Sequence, residues 1–195
     1  MKRFLEAVAV DHHEALYVRA ISAGLRQGEL LGLKWEDIDF NRRVLQVKRS
    51  LSMTKKGIMF VPPKSARGRR NITLTARAVE ALKKHNTTQE KERQRLRDLW
   101  EDQGLVFPNQ TGKPMHPWIL TKRFKKILKE SDLPEVRFHD LRHTCATLLL
   151  AKGIHPKIVQ EILGHSTISI TLDTYSHLLP NMQSKAVSAM QDIID

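Results

Sequence analysis

Between residues 11 and 24 the apolar positions Ala15, Leu16, Val18, Ala20 and Ile21 recur at helical spacing, and Gly24 stands where a left-handed residue closes a helix. Arg26 therefore follows a helix end. "QGELLGL" reads as a short second helix. The period then changes: "VLQVKRS", "IMFVPP" and "RRNITL" are short, β-rich and separated by turn-prone residues, which predicts a three-stranded antiparallel meander. Thr75 caps a further helix running to about Leu99, although "KKHNTTQEKERQRLRD" is so polar that part of it is expected to be exposed. Beyond the turn-like "PNQTGKP", helices are predicted over 117–129, 138–151 and 156–163, then one carrying Tyr175 and a last amphipathic one in "QSKAVSAMQDII". The expected architecture is mainly α with a small three-stranded antiparallel β-sheet, an α+β fold. No repeat, low-complexity tract or linker divides the chain, so residues 1–195 are read as a single domain.

Composition narrows what such a domain can do. No apolar run approaches the roughly 20 residues of a bilayer span and no secretory leader is present, which points to a soluble cytoplasmic protein. The lone Cys145 excludes an internal disulfide and a multi-cysteine zinc site, and reads as a small buried apolar residue. The net charge of +12 attracts polyanions, nucleic acid first and an anionic membrane surface second. Its distribution says more. From Asp39 to Glu80 there is no acidic residue, while Arg42, Arg43, Lys48, Arg49, Lys55, Lys56, Lys64, Arg67, Arg69, Arg70 and Arg77 all fall there. Ordinary surfaces intersperse both signs, so the run favours phosphate contact over a merely solvated basic loop.

The segment "RFHDLRHTCATLL" carries candidate chemistry. His139 and His143, four apart, have the spacing of two imidazoles on one metal, whereas His139 and Arg142, three apart, give one face a proton carrier and a fixed cation. A zinc hydrolase would need a third ligand and a glutamate base. Asp140 is one methylene short, and no third-ligand spacing is evident. Phe138, Leu141, Cys145, Leu148 and Leu149 form a core-facing stripe in this reading, leaving His139 and Arg142 on a neighbouring face. A histidine merely satisfied by a hydrogen bond is the plain alternative.

The surrounding motifs change that balance. "HDLRHTCATLLLAKG", "IVQEILGHSTISIT" and "YSH" resemble the catalytic domain of tyrosine recombinases, the phage-integrase family. "SAGLRQGELLGLKWEDIDF" resembles the segment bearing that family's first arginine, and "PPKSARGRRNITL" its β-hairpin lysine. The ordered set spans almost the whole chain. Residue by residue, the resemblance implies one active site on double-stranded DNA made of Arg26, Lys64, His139, Arg142, His165 and Tyr175. Arg26 and Arg142 would grip the non-bridging phosphate oxygens with His165 as a further donor. Tyr175 would attack phosphorus, Lys64 would protonate the leaving 5′-oxygen, and His139 would assist proton transfer or hold the phosphate.

Arg42, Arg43, Lys55, Lys56, Arg67, Arg69 and Arg70 are the expected DNA-binding residues, with no metal or other cofactor implied. His143 and His177 are read as supporting, and His12, His13, His85, His116 and His155 join no constellation. Singly, each site residue has an ordinary reading: Arg26 paired with Glu29 at a helix end, Lys64 a solvated loop charge, Tyr175 a core aromatic. The family's usual N-terminal core-binding domain is expected to be absent from this chain. A tetramer on DNA is implied for a full-length protein, with its C-terminal helix docking on a neighbour or folding back. A type IB topoisomerase and a catalytically silent DNA-binding regulator are the competing readings. The extended hairpin motif and "LGHSTISIT" favour the recombinase over the first. Retention of all six candidate residues weighs against the second, because a binder needs no tyrosine nucleophile.

Overall fold

The structure, a computed structural model, describes residues 1–63, 66–175 and 182–194. Its centre is α2 (Glu14–Ala23), buried on every side by Ala15, Leu16, Tyr17, Val18, Ala20, Ile21 and Ala23, and closed by Gly24 in the left-handed conformation. It follows α1 (Lys2–Val8) and leads through Arg26 into α3 (Gln27–Leu31). Helices α4 (Ala76–Leu96) and α6 (Asp140–Ala151) pack against α2, while α5 (Pro117–Glu130) meets α1 and α3. Phe4, Tyr17, Phe124 and Phe138 join these layers through aromatic contacts, the closest being Phe124 with Phe138 at 5.4 Å edge to face. Helices α7 (Pro156–Leu163) and α8 (Ile168–Tyr175) pack on α6 around a second, smaller cluster of Ala146, Leu150, Val159, Leu163 and Tyr175. The last described helix is α9 (Met182–Ile194). Among the described residues no helix is long and apolar enough to cross a membrane.

The β-rich region departs from the expected meander. Strand β2 (Val44–Val47) lies between β1 (Ile38–Asp39) and β5 (Arg70–Thr73), antiparallel to both, with Val44 opposite Thr73 and Val47 opposite Arg70. Strands β3 (Ser50–Thr54) and β4 (Gly57–Val61) form a separate two-stranded hairpin. The partition follows burial. Leu45, Val47 and Ile72 face the core, whereas the hairpin contributes Leu51 and leaves Met53 and Met59 exposed. At the corner between β2 and β3, Lys48 and Arg49 pair with Asp37, and Arg49 also with Glu36. Those two cations of the acid-free run are thus held by carboxylates that precede it.

Side-chain caps open α4, α5 and α7. Thr75 Oγ1 accepts from Ala78 N at 3.3 Å, and both His116 and His155 cap helices that open on proline. The polar stretch of α4 stays helical because its inward face binds a backbone rather than an oily surface. Gln89 Nε2 donates to Leu105 O and Val106 O, both at 3.2 Å, and its Oε1 accepts from Trp35 Nε1 at 2.6 Å. His85 Nε2 donates to Val106 O at 2.6 Å. These bonds give the Leu105 and Val106 carbonyls side-chain donors beside the antiparallel bridge between Leu105 and Lys34. Two details of α6 differ from expectation: Leu148 is exposed and Leu150 buried, and His139 sits at the N-cap instead of on the helix body.

Burial, and secondarily the carbonyl of Val106 and the neighbouring His12 and His13, set the His85 pKa, and burial wins, lowering it to about 4. Below the unfolded value of 6.5 the unfolded chain therefore takes up a proton that the folded chain refuses. Stability is expected to fall as the pH drops from 6.5 towards 4, with a contribution from this residue on the order of 3 kcal/mol. Urea unfolding at stepped pH checks this. His85→Gln, which keeps the donor, should flatten the dependence, and an unchanged slope would remove His85 as its source.

Candidate active site

The corner at Gly24 is where the site begins. A Cβ there would run into Leu163 Cδ2, so the end of α7 abuts the end of α2 directly, and the φ of +56° is one that glycine adopts without strain. The freed carbonyl of Gly24 accepts from Arg142 Nη1 at 2.6 Å. Arg142 is 3% exposed, and its Nη2 is enclosed without an acceptor among the described residues. Two residues on, Arg26 forms the N-cap of α3. Its backbone N–H donates to Glu29 Oε2 at 3.0 Å, its Nη1 to Glu29 Oε1 at 2.8 Å and its Nη2 to Gly164 O at 3.3 Å. The ion pair with Glu29 thus exists, yet it does not exhaust Arg26, whose side chain stays 41% exposed.

Glu29 is buried and shared. Arg70, on β5, places Nη1 and Nη2 at 3.1 and 2.9 Å from its two oxygens. Across the corner, His139 is exposed, makes no capping bond, and lies edge-on to His143 with ring centroids 5.0 Å apart. His143 Nδ1 lies 2.6 Å from the Tyr175 hydroxyl, which donates to it when the imidazole carries its proton on Nε2. The Tyr175 ring is packed in the small α6–α7–α8 cluster. His165 follows the left-handed Gly164 that ends α7, and its Nδ1 pairs with the fully buried Thr171 Oγ1 at 2.8 Å. Gln160 Nε2 fixes the same residue by donating to its carbonyl at 3.1 Å.

Positive charge dominates this corner. Burial, then Arg26, pushes the Arg142 pKa down to about 9, and Glu29 only partly offsets them. Burial, followed by Arg142, Arg26 and Arg70, lowers His165 to about 4, so it is neutral at pH 7 and can donate through only one ring nitrogen. His139 is lowered by burial and by His143, Arg142 and Arg26. Burial raises the Tyr175 phenol, against which the Arg142 charge pulls downward. Burial alone would raise Glu29 too, but Arg70 and Arg26 reverse that and hold it ionised. An enclosed, unpaired guanidinium donor beside a second guanidinium and a neutral imidazole is an arrangement that favours an anion with several oxygens.

Five of the six expected site residues therefore belong to one constellation, and Lys64 lies outside the described residues, as does His177. Arg42, Arg43, Lys55, Lys56, Arg67 and Arg69 are exposed, with Arg42 paired to Asp39 and Arg67 donating to Ser166 O. Arg70, expected among the DNA contacts, instead turns its guanidinium inward on Glu29, because the β2–β5 pairing aims it at the end of α7. Three contributors were not singled out beforehand: Glu29 as a shared carboxylate, Thr171 and Gln160. His143, read only as supporting, is the residue that touches the tyrosine. Among the described residues no group of three or more histidine, cysteine or carboxylate side chains is disposed to hold a metal ion. A cleft of about 860 Å³ lined by His12, His13, His85, Glu92 and Arg123 lies elsewhere. The constellation lies apart from that cleft, with the Arg26 side chain and His139 reaching solvent and Arg142 and Tyr175 buried.

The profile of the Phage integrase family matches residues 2–182. A tyrosine recombinase XerC-like protein of Caldanaerobacter subterraneus subsp. tengcongensis is 35% identical over 99% of this chain and 52% of its own length. The ICEBs1 integrase of Bacillus subtilis is 28% identical over 99% of this chain and 53% of its own. The chain thus spans about half the length of these curated relatives. Among solved structures, the Tn1549 transposon integrase in complex with transposon right end DNA superposes with a TM-score of 0.81 at 27% identity, covering all of this chain and 64% of that one.

Gly24→Ala forces a side chain onto Leu163 in a left-handed backbone. It is expected to lower stability by about 1–3 kcal/mol in denaturant titrations. A variant as stable as the parent would show that the α2–α7 contact is slack.

Proposed function

Because the chain belongs to the phage integrase family, we propose that residues 1–195 form the catalytic domain of a site-specific tyrosine recombinase, cleaving and rejoining double-stranded DNA through a covalent 3′-phosphotyrosyl intermediate. The observation that carries the reading is the enclosed Arg142 guanidinium with an unmet donor, flanked by Arg26, His165 and the Tyr175 phenol.

In the proposed step the Tyr175 oxygen forms a bond to the scissile phosphorus as the bond from phosphorus to the 5′-oxygen breaks. Arg26 and Arg142 take the charge that grows on the non-bridging oxygens, with His165 donating from the nitrogen not engaged by Thr171. The 2.6 Å contact supports His143, ahead of His139, as first acceptor of the phenolic proton. His139, exposed beside it, is assigned to the phosphate or to relay, which its 5.0 Å approach to His143 supports. Lys64 is assigned by resemblance as the acid that protonates the leaving 5′-oxygen. One ester replaces another, so the energy of the broken bond is kept and a 5′-hydroxyl from a different strand can reverse the reaction. This chemistry calls for neither ATP nor metal. The exposed cations Arg42, Arg43, Lys55, Lys56, Arg67 and Arg69 are proposed to track DNA phosphates.

Incubated in chelator, without ATP, on a suicide DNA substrate carrying a cognate site, the chain is expected to form a detergent-resistant covalent complex. Tyr175→Phe should abolish it. Dependence on a divalent metal, or an adduct that survives in the Phe variant, would overturn the reading, and rejoining confined to the same strand would favour a topoisomerase.

Helix α9 leaves Val187, Met190, Ile193 and Ile194 exposed, between 53% and 77% of their surface. This unpartnered stripe supports docking on a neighbouring protomer in a tetramer on DNA. Truncation after Pro180 is expected to leave DNA binding in place and to abolish higher-order complexes in sedimentation or gel-shift experiments. Unchanged assembly would exclude α9 as the link.

A further inference from the structure

We propose that Arg70 is a positioning residue for Arg26 and His165, setting through Glu29 and the end of α7 where those two side chains point. The inference rests on the recombinase reading of the site and adds to it a residue that need not touch DNA.

The geometry assigns Arg70 several bonds that run to protein. Its Nη1 and Nη2 fork onto the two Glu29 oxygens, its Nε donates to Ile162 O at 2.7 Å, and Nη1 also donates to Gly68 O at 3.1 Å. The side chain is 7% exposed, which leaves it little access to a phosphate. Its guanidinium also lies close against the end of α7: a Cβ at Gly164 would meet Arg70 Nη1 at 2.8 Å and Cζ at 3.1 Å. Gly164 O is the acceptor of Arg26 Nη2, and His165 is the next residue. One planar group therefore fixes the carboxylate that orients Arg26, the carbonyl that receives Arg26, and the turn that presents His165.

Without Arg70 the Glu29 carboxylate would keep Arg26 as its remaining described cation and would draw it away from a phosphate. The close of α7 would lose the donor to Ile162 O. Lysine cannot substitute in full, because a single ammonium on a flexible stem does not span Glu29, Gly68 O and Ile162 O together. The Arg67 bond to Ser166 O gives the same turn a second tie from the hairpin side.

The test compares the parent chain with Arg70→Gln and Arg70→Lys on the suicide substrate, measuring DNA affinity and single-turnover adduct formation at saturating protein. Affinity is expected to stay within about twofold while the adduct rate falls about tenfold or more in both variants. A parallel histidine NMR titration of the free chain is expected to show the His165 midpoint moving up from about 4 in Arg70→Gln and less in Arg70→Lys, while His85 keeps its own low midpoint as a check on the fold. Unchanged adduct rates, or a defect that vanishes at saturating DNA, would overturn the proposal, the latter in favour of a direct DNA contact. A stationary His165 midpoint, with the rate loss matched by loss of folded protein, would reduce Arg70 to a stabilising residue. A parent chain that forms no adduct would overturn the recombinase reading itself, and the titration would still decide whether Arg70 governs the surroundings of His165.

Discussion

One buried carboxylate organises this protein. Arg26, Arg70 and Arg142 converge near the ends of α2 and α7, in a chain that already carries a net charge of +12. Guanidiniums drawn that close and partly desolvated repel one another by on the order of kcal/mol per pair. Glu29 is the neutralising group within that corner. It is ionised because Arg70 and Arg26 make ionisation favourable, and they remain together because it is ionised. Removing either kind of partner leaves a buried charge uncompensated, which is where ion pairs become costly. The fold's effort is visible here: a short helix begins at Arg26 so that its third residue can reach back, and a strand ends up beside α7 so that Arg70 can reach in.

Electrostatics then grades the site. Arg142 is the most enclosed of these three cations and forms no ion pair among the described residues, so it is the one most in need of an anion. His165 is kept neutral by burial and by the three arginines around it, which suits a hydrogen-bond donor more than a charge. Tyr175 has its oxygen bonded to His143 and feels the Arg142 charge as well.

Much of this was legible in the sequence because it is written locally. Gly24, Thr75, Pro117 and Pro156 mark helix ends through backbone chemistry that does not depend on distant partners, and the helices stand where those residues place them. The arginine, histidine and tyrosine motifs were legible through resemblance, and their convergence follows from the order of the helices. Pairing between strands was less so. Each of the β-rich segments could pair with its neighbour, and only the burial of Leu45, Val47 and Ile72 against the helices selects β5 over β4 as the partner of β2. That choice also decided Arg70. In sequence it is one more cation in an acid-free run, and its carboxylate lies far upstream at Glu29. His85 and Gln89 were opaque for a similar reason, since their partners are main-chain carbonyls, which sequence does not label.

The placement of Tyr175 has one further implication. Its ring shares a small apolar cluster with Leu163, and Leu163 in turn presses on Gly24, whose carbonyl steadies Arg142. Any movement that draws the Tyr175 ring out of this cluster would therefore also disturb Leu163 and the Gly24 corner that holds Arg142.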